Sequence, residues 1–374
     1  MTPRPQPWPG DPLGVTGVLP YSRRPARTPP DDESLRTRLD EAIAAVDAPD
    51  VVFALSRDGH RTVRCGGTGP PPPVARERLR YEIGSASKTF TGLLLAQLTQ
   101  SGTLSAAEPA AACLDPALRA RLIGRDPVTL AHLITHTSGL PALPVDFFPR
   151  ALPTWRSNPY AGYPDERVVD AFLRRRPRRR PGTRWHYSNF GVAVLGHALA
   201  AATATPWDDL LTGRVLRPLG LGGTALWPGG QDIDATGHRR DGSTPTPPLT
   251  VGGFRSAGAV RATPHDLLTF LEAHLDPSGP GPGPAGRPLA GALRAVRRPV
   301  LRRGLGHRHV HTVAWFQHPT GNGPMYFHGG ATLGQQAFLG FRPDTGTALV
   351  GLCTRRFRPR ETFVSTAYAL LAEA

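Results

Sequence analysis

Lysine is nearly absent from this chain. Of 44 Lys and Arg residues only one is lysine, Lys88. Guanidinium stays protonated up to a pKa above roughly 12, whereas a desolvated ammonium can lose its proton, so Lys88 stands where arginine could not do the same work. Cysteine is also scarce: Cys65, Cys113 and Cys353 form no C-x-x-C pair and no metal-ligand spacing. An odd, sparse set excludes a disulfide framework and fits a reducing compartment. No window reaches the roughly 18 apolar residues of a membrane span. The first residues, MTPRPQPWPGDPLGVTGVLPYSRRP, show neither an apolar h-region nor a cleavage-site pattern, so no export signal is expected. These absences together predict a cytoplasmic protein. G-x-S-x-G, H-E-x-x-H and Walker-A patterns are missing too, which leaves few candidate nucleophiles.

Positive charge is abundant, with a formal net charge of +15 and a pI near 11.0. Such a balance suits nucleic acid or an anionic surface. Except in Arg174–Arg180 (RRRPRRR), however, the charge is spread along the chain, and no nucleic-acid-binding signature accompanies that run. It reads as solvated arginine, and no nucleic-acid partner is expected. His307, His309 and His311 alternate in GHRHVHT, but no Asp, Glu or Cys close in sequence completes a metal site, so none is expected. A nominal G-x-G-x-x-G at Gly281, Gly283 and Gly286 follows no strand and is filled with proline, which excludes a dinucleotide site.

The stretch that carries chemistry is Tyr81–Gly102, YEIGSASKTFTGLLLAQLTQSG. Ser85 and Lys88 are three residues apart at the head of an apolar, helix-like run, so hydroxyl and amine share a face. Ser85 at a helix N-terminus is a candidate nucleophile, because free N–H groups there favour developing negative charge. Phe90, Leu93, Leu94 and Leu98 give that helix its core stripe, and Gly102 ends it.

Around this stretch, residues 1–32 form a Pro-rich tail, and a helix runs from Glu33 to about Val46. VVFALSRDGHRTVRCGG reads as a hairpin turning at Asp58-Gly59. Residues 117–136 read as helix broken at Asp126-Pro127. Pro141–Asp165 is a long loop carrying Phe147, Phe148, Trp155, Tyr160 and Tyr163, expected to form a lid or pocket wall. Helices are expected over 165–175, 190–204 and 207–219 and after Thr263-Pro264. Residues 232–260 read as irregular and 277–288 as a linker. From about Val310 the pattern turns to strands, VHTVAWFQ, MYFH, QQAFLGF and TALVGLC, closed by a helix over Glu361–Ala372. This order predicts a discontinuous α/β sheet domain from 33–80 and 295–374, and a mostly helical domain from 81–294.

Two more motifs complete the constellation. Tyr187-Ser188-Asn189 places a phenol and a carboxamide two residues apart before a helix. A phenol held between cations can act as general base, and the Asn189 amide can bond both Lys88 and a substrate's acyl oxygen. His328-Gly329-Gly330 ends a strand whose glycines let a substrate approach. The N–H of Ala331 would pair with that of Ser85 as an oxyanion hole.

GSASKTFTG, HLITHTSGLP, PGTRWHYSNFGVAVLG, SAGAVRATPHDL and FHGGATLGQQAFLGF resemble the serine β-lactamase-related enzymes. They fit in particular the class C-like branch shared with D-alanyl-D-alanine carboxypeptidases and esterases, and Ser85/Lys88, Tyr187/Asn189 and His328/Gly330 fall in family order. The resemblance implies an α+β, β-lactamase/transpeptidase-like fold with an antiparallel sheet flanked by terminal helices and an inserted, mostly helical domain. It implies an acyl-enzyme mechanism on a small-molecule ester or amide, catalysed by Ser85, Lys88 and Tyr187 without metal or cofactor. Substrate would be held by Asn189, His328, Gly329, Gly330, Phe147, Phe148 and Trp155. His132 and His136 lie in a family stretch read as structural. Where this chain has His328-Gly329-Gly330, family β-lactamases usually carry Lys-Thr-Gly, so β-lactamase activity is expected to be poor. Hydrolysis and transfer of the acyl group to an amine or alcohol both remain open, since one acyl-enzyme serves either outcome.

Overall fold

The computed structural model describes residues 32–122, 127–155, 157–174, 179–278, 286–304 and 309–374. Residues 1–31, the middle of the arginine run, Gly281, Gly283 and His307 lie outside the described residues.

Eleven strands are present among them: β1 (Val51–Arg57), β2 (His60–Gly66), β3 (Tyr81–Glu82), β4 (Thr224–Ala225), β5 (Arg261–Ala262), β6 (Leu301–Arg303), β7 (His309–His311), β8 (Phe316–Thr320), β9 (Gly323–Ala331), β10 (Gln336–Arg342) and β11 (Thr347–Cys353). Eight of them form one antiparallel sheet in the order β2-β1-β11-β10-β9-β8-β7-β6, and β3-β5-β4 form a small second sheet. The fold is α+β, an antiparallel sheet with helices, as expected.

β1 and β11 are buried along nearly their whole length, which is why both read as continuous apolar runs. The period of two divides β1 between the faces. Val51, Phe53 and Leu55 pack with Leu349, Phe363 and Leu371 under the helices Asp32–Ala44 and Phe363–Glu373. Val52 and Ala54 face the larger core, which holds Phe90, Phe270 and Leu339. The β1–β2 hairpin turns at Asp58 and Gly59, both at positive φ (49° and 85°), as the Asp-Gly signal predicts.

Several expectations are corrected. Among the described residues of the expected 117–136 helix, the first part is instead two short 3-10 turns, because Asp115 accepts the Ala117 N–H (3.0 Å) ahead of Pro116 and starts a turn at Pro116–Leu118. Helix Leu130–Ile134 begins afresh at a capping box between Thr129 and His132. VHTVAWFQ is two strands, because Thr312 accepts the Trp315 N–H on its hydroxyl (3.1 Å) and donates its own N–H to the Trp315 carbonyl (2.9 Å). The Pro141–Asp165 segment contains helix Phe147–Ala151, the 232–260 segment contains helix Arg255–Gly258, and helix Gly286–Ala295 begins where a linker is expected.

Helix Ser87–Gln100 is not amphipathic. Every residue from Ser87 to Leu98 is buried, the state of a central core helix. Two of its threonines are satisfied by backbone: the Thr89 hydroxyl donates to the Ala86 carbonyl and that of Thr91 to the Ser256 carbonyl, each at 2.7 Å. No single helix among the described residues is long and apolar enough to cross a membrane.

Candidate active site

Ser85 lies in a 3-10 turn, Gly84–Ala86, that feeds straight into helix Ser87–Gln100. Lys88 in the first turn of that helix points back toward it, and Lys88 Nζ is 3.1 Å from Ser85 Oγ. The same Nζ donates to the carbonyl of Ala257 at 2.9 Å. Ala257 stands on helix Arg255–Gly258, so the SAGAV segment supplies the lysine's second anchor.

From the opposite side, the Tyr187 hydroxyl donates to Ser85 Oγ at 2.8 Å. Its neighbour Ser188 is the N-cap of helix Asn189–Thr203, accepting the Gly191 N–H (2.8 Å) and donating to the Pro141 carbonyl (2.6 Å). With Ser188 capping, Asn189 is free of that duty, and its Nδ2 donates to the Tyr160 hydroxyl at 3.3 Å.

His136 braces this loop. It sits at φ 58°, accepts the Ser188 N–H on Nδ1 (3.2 Å) and the His186 N–H on its carbonyl (2.8 Å). Its ring packs 4.5 Å from that of Tyr187. HLITHTSGLP therefore acts as scaffold for the tyrosine.

The electrostatics separate amine and phenol. Lys88 is 1 % exposed, and burial alone lowers its pKa from the usual lysine range to about 7. Burial pushes the Tyr187 phenol well up, against a smaller opposing effect from its bond to Ser85. The expectation that Tyr187 is held between cations as a phenolate is thus corrected. Among the described residues Lys88 lies near its ring, 5.0 Å from the centroid, and desolvation is the largest influence on the phenol. Lys88 is the group poised to exchange a proton near neutrality.

His328 lies near the end of β9. It is 4 % exposed and donates from Nδ1 to the Gly329 carbonyl (2.7 Å). Burial first, then the nearby Lys88, lower its pKa to about 3, so it offers a neutral imidazole and no cation. It lines a cavity beside Lys88 with His136, His311 and Trp185. β8 pairing stops at Phe316–Phe327, and β9 runs on past it through His328–Ala331.

That projecting end presses on the nucleophile's turn. A Cβ on Gly330 would fall 1.8 Å from the Ile83 carbonyl oxygen, and one on Gly84 (φ +49°) 2.5 Å from that of Ala331. Glycine at both positions is what brings the Ala331 backbone alongside Ser85.

The aromatic segment divides. Phe148 and Trp155 are exposed, their rings 6.1 Å apart. Phe147 is 1 % exposed and packs on Tyr160, Tyr163 and Phe254, so it is core and not pocket wall. Ala257, in the SAGAV stretch, and Tyr160 and His311, singled out in the sequence as lid residue and as a rejected metal ligand, also join the site region. Among the described residues no cluster of three or more His, Cys, Asp or Glu could hold a metal.

The sequence model of the β-lactamase family matches residues 35–374. A β-lactamase of Pseudomonas fluorescens is 26% identical over 80% of this chain and 86% of its own. Penicillin-binding protein 4 of Amycolatopsis lactamdurans is 30% identical over 71% of this chain and 70% of its own. Among solved structures, a class C β-lactamase from Rhodobacter sphaeroides superposes with a TM-score of 0.71 at 24% identity, covering 90% of this chain and 97% of that one. The chain belongs to the β-lactamase family of serine hydrolases.

Proposed function

We propose that this protein forms an acyl-enzyme on Ser85 from a small-molecule ester or amide and releases the acyl group to water. The observation that carries this reading is the placement of Ser85 Oγ between Lys88 Nζ at 3.1 Å and the Tyr187 hydroxyl at 2.8 Å. Neutral Lys88 takes the Ser85 proton as Oγ attacks the carbonyl. The N–H groups of Ser85 and Ala331 receive the oxyanion. As the intermediate collapses, Tyr187 gives its proton to the leaving group and is reprotonated from the Lys88 ammonium. Water then repeats the sequence in reverse, and Ser85 is regenerated.

A buried, neutral His328 supplies no positive charge for a substrate carboxylate, which favours neutral esters and amides over penicillins. The exposed Phe148–Trp155 pair supports a second reading, in which an apolar acceptor amine or alcohol displaces water and the product is a new ester or amide. Three free cysteines support placement in the cytoplasm.

The test is intact-protein mass after incubation with a p-nitrophenyl ester, a methyl ester, a penicillin and a D-Ala-D-Ala peptide. Wild type and Ser85→Ala run side by side, with and without a free amine. The expected result is an ester adduct on wild type alone. Faster clearance with amine, yielding an amide, selects the transferase reading, and no adduct with any donor overturns both.

A further inference from the structure

Ala331 is followed by a turn, Thr332–Gln335, that joins β9 to β10. The turn is fixed internally: the Thr332 N–H donates to the Gln335 carbonyl (2.8 Å) and the Gln335 N–H to the Thr332 hydroxyl (3.1 Å). The Gln335 side chain leaves the turn and crosses to the nucleophile's side. It is 2 % exposed, accepts the Glu82 N–H on Oε1 at 2.9 Å, and donates from Nε2 to the Ala235 carbonyl at 2.7 Å.

Glu82 ends β3, the strand that leads into the Ser85 turn. One edge of β3 pairs with β5, Glu82 opposite Arg261. On the other edge, among the described residues, an isolated parallel bridge joins Arg80 to Asp234 but no strand follows beside Glu82, and the Gln335 carboxamide takes the place of a strand by satisfying the Glu82 N–H. An unmet buried N–H there would cost about 1–3 kcal/mol.

The Glu82 side chain is itself tied down. Its carboxylate accepts the Leu249 N–H at 2.6 Å and lies 3.8 Å from the Arg261 guanidinium, which also bonds Asp234 at 3.2 Å. The far side of the Gln335 contact is therefore a rigid platform.

Two fixed bodies thus meet beside Ser85: the Glu82–Ala86 segment, and the end of β9 with its turn. The glycine contacts limit how closely they approach, and no glycine contact limits how far they part. We infer that Gln335 is a positioning residue that holds the Ala331 N–H at oxyanion distance from the Ser85 N–H. The inference rests on the acyl-enzyme reading above and adds a residue that touches neither substrate nor nucleophile.

An ester and its thionoester separate this role from a merely structural one. The larger, weakly accepting sulfur draws little from a hole shaped for oxygen, so the ester-to-thionoester ratio of kcat/KM reports the spacing of the two N–H groups. Gln335→Met keeps the length and removes both hydrogen bonds, while Gln335→Asn keeps the amide one methylene short and guards against misfolding. Both are expected to lower kcat/KM for the ester by roughly 10–100-fold, mostly in kcat, as small misplacements at a reacting centre do. The thionoester should change far less, so the ratio falls about in step. Equal losses on both substrates, or a lowered Tm with the ratio unchanged in either variant, would overturn the assignment. A wild-type protein that forms no Ser85 adduct would instead overturn the proposed function, and the mass measurement reads that separately.

Discussion

Lys88 Nζ is held at 2.9 Å by the carbonyl of Ala257 and at 3.1 Å by Ser85 Oγ. A neutral amine has two N–H groups and one lone pair. An ammonium donates to both oxygens, whereas the neutral amine keeps one N–H on Ala257 and can turn its lone pair to the serine proton, so the same two contacts serve Lys88 before and after it takes that proton.

The rate of acylation should therefore follow the titration of Lys88. Its pKa is lowered to about 7, and the base is active only when deprotonated. kcat/KM for an ester should rise with pH through about 7 and level off above it. Lys88→Arg, which cannot deprotonate, should lose on the order of 10²–10⁴ of that activity. A rate flat between pH 6 and 9 would assign the proton to another group.

Tyr187→Phe keeps the ring against His136 and removes the hydroxyl beside Ser85. If Tyr187 serves as acid to the leaving group, the loss depends on the substrate. An alkyl ester should slow by roughly 10²–10⁴-fold, whereas a p-nitrophenyl ester, whose leaving group needs no proton, should slow much less. Equal losses would make the tyrosine an orienting group for Ser85.

Gly330→Ala would drive a methyl group to 1.8 Å from the Ile83 carbonyl oxygen. Neither partner is a flexible side chain, so β9 and the Ser85 turn must part. The expected outcome is a loss of a few kcal/mol of stability, seen in urea unfolding, together with loss of Ser85 acylation. Full activity with unchanged stability would mean that the two backbones are not packed this closely.

His274 is completely buried among Phe270, Trp315 and Phe341, and burial lowers its pKa to about 4. In the unfolded chain it titrates near 6.5. Between those values the unfolded state binds a proton that the folded state does not, so stability falls as pH falls. The slope is about 1.4 kcal/mol per pH unit, roughly 3 kcal/mol across the window, and levels off below pH 4. His274→Phe should lessen the fall of the urea midpoint between pH 6.5 and 4 by this one group's share, the other buried histidines, His328 among them, keeping theirs, and an unchanged slope would refute the assignment.

How legible the site was depended on how local each signal is. Ser85 and Lys88 meet because three residues on a helical turn share a face, a relation written in the sequence itself. The lone lysine marked the one place where a titratable amine was needed. The fold's strands showed through in the continuous apolar runs of β1 and β11. Protonation was not legible, because the phenol of Tyr187 is governed by desolvation, which exists only after packing. Phe147 and Phe148 are adjacent and alike, yet one is core and the other faces solvent. Gln335 lies in the FHGGATLGQQAFLGF stretch, but nothing there points to its role: its partner Glu82 is 253 residues away, and only the assembled sheet brings them together.

Because helix Ser87–Gln100 is buried on every side, the nucleophile is not presented by a mobile loop. Its amides should be among the last in the protein to exchange with deuterated solvent, opening only when the whole core opens. Whatever adapts to the substrate must then come from the segments around it, 141–165 and 226–255. Substrate range can drift in those segments by mutation while Ser85 and Lys88 stay registered to the most stable part of the molecule.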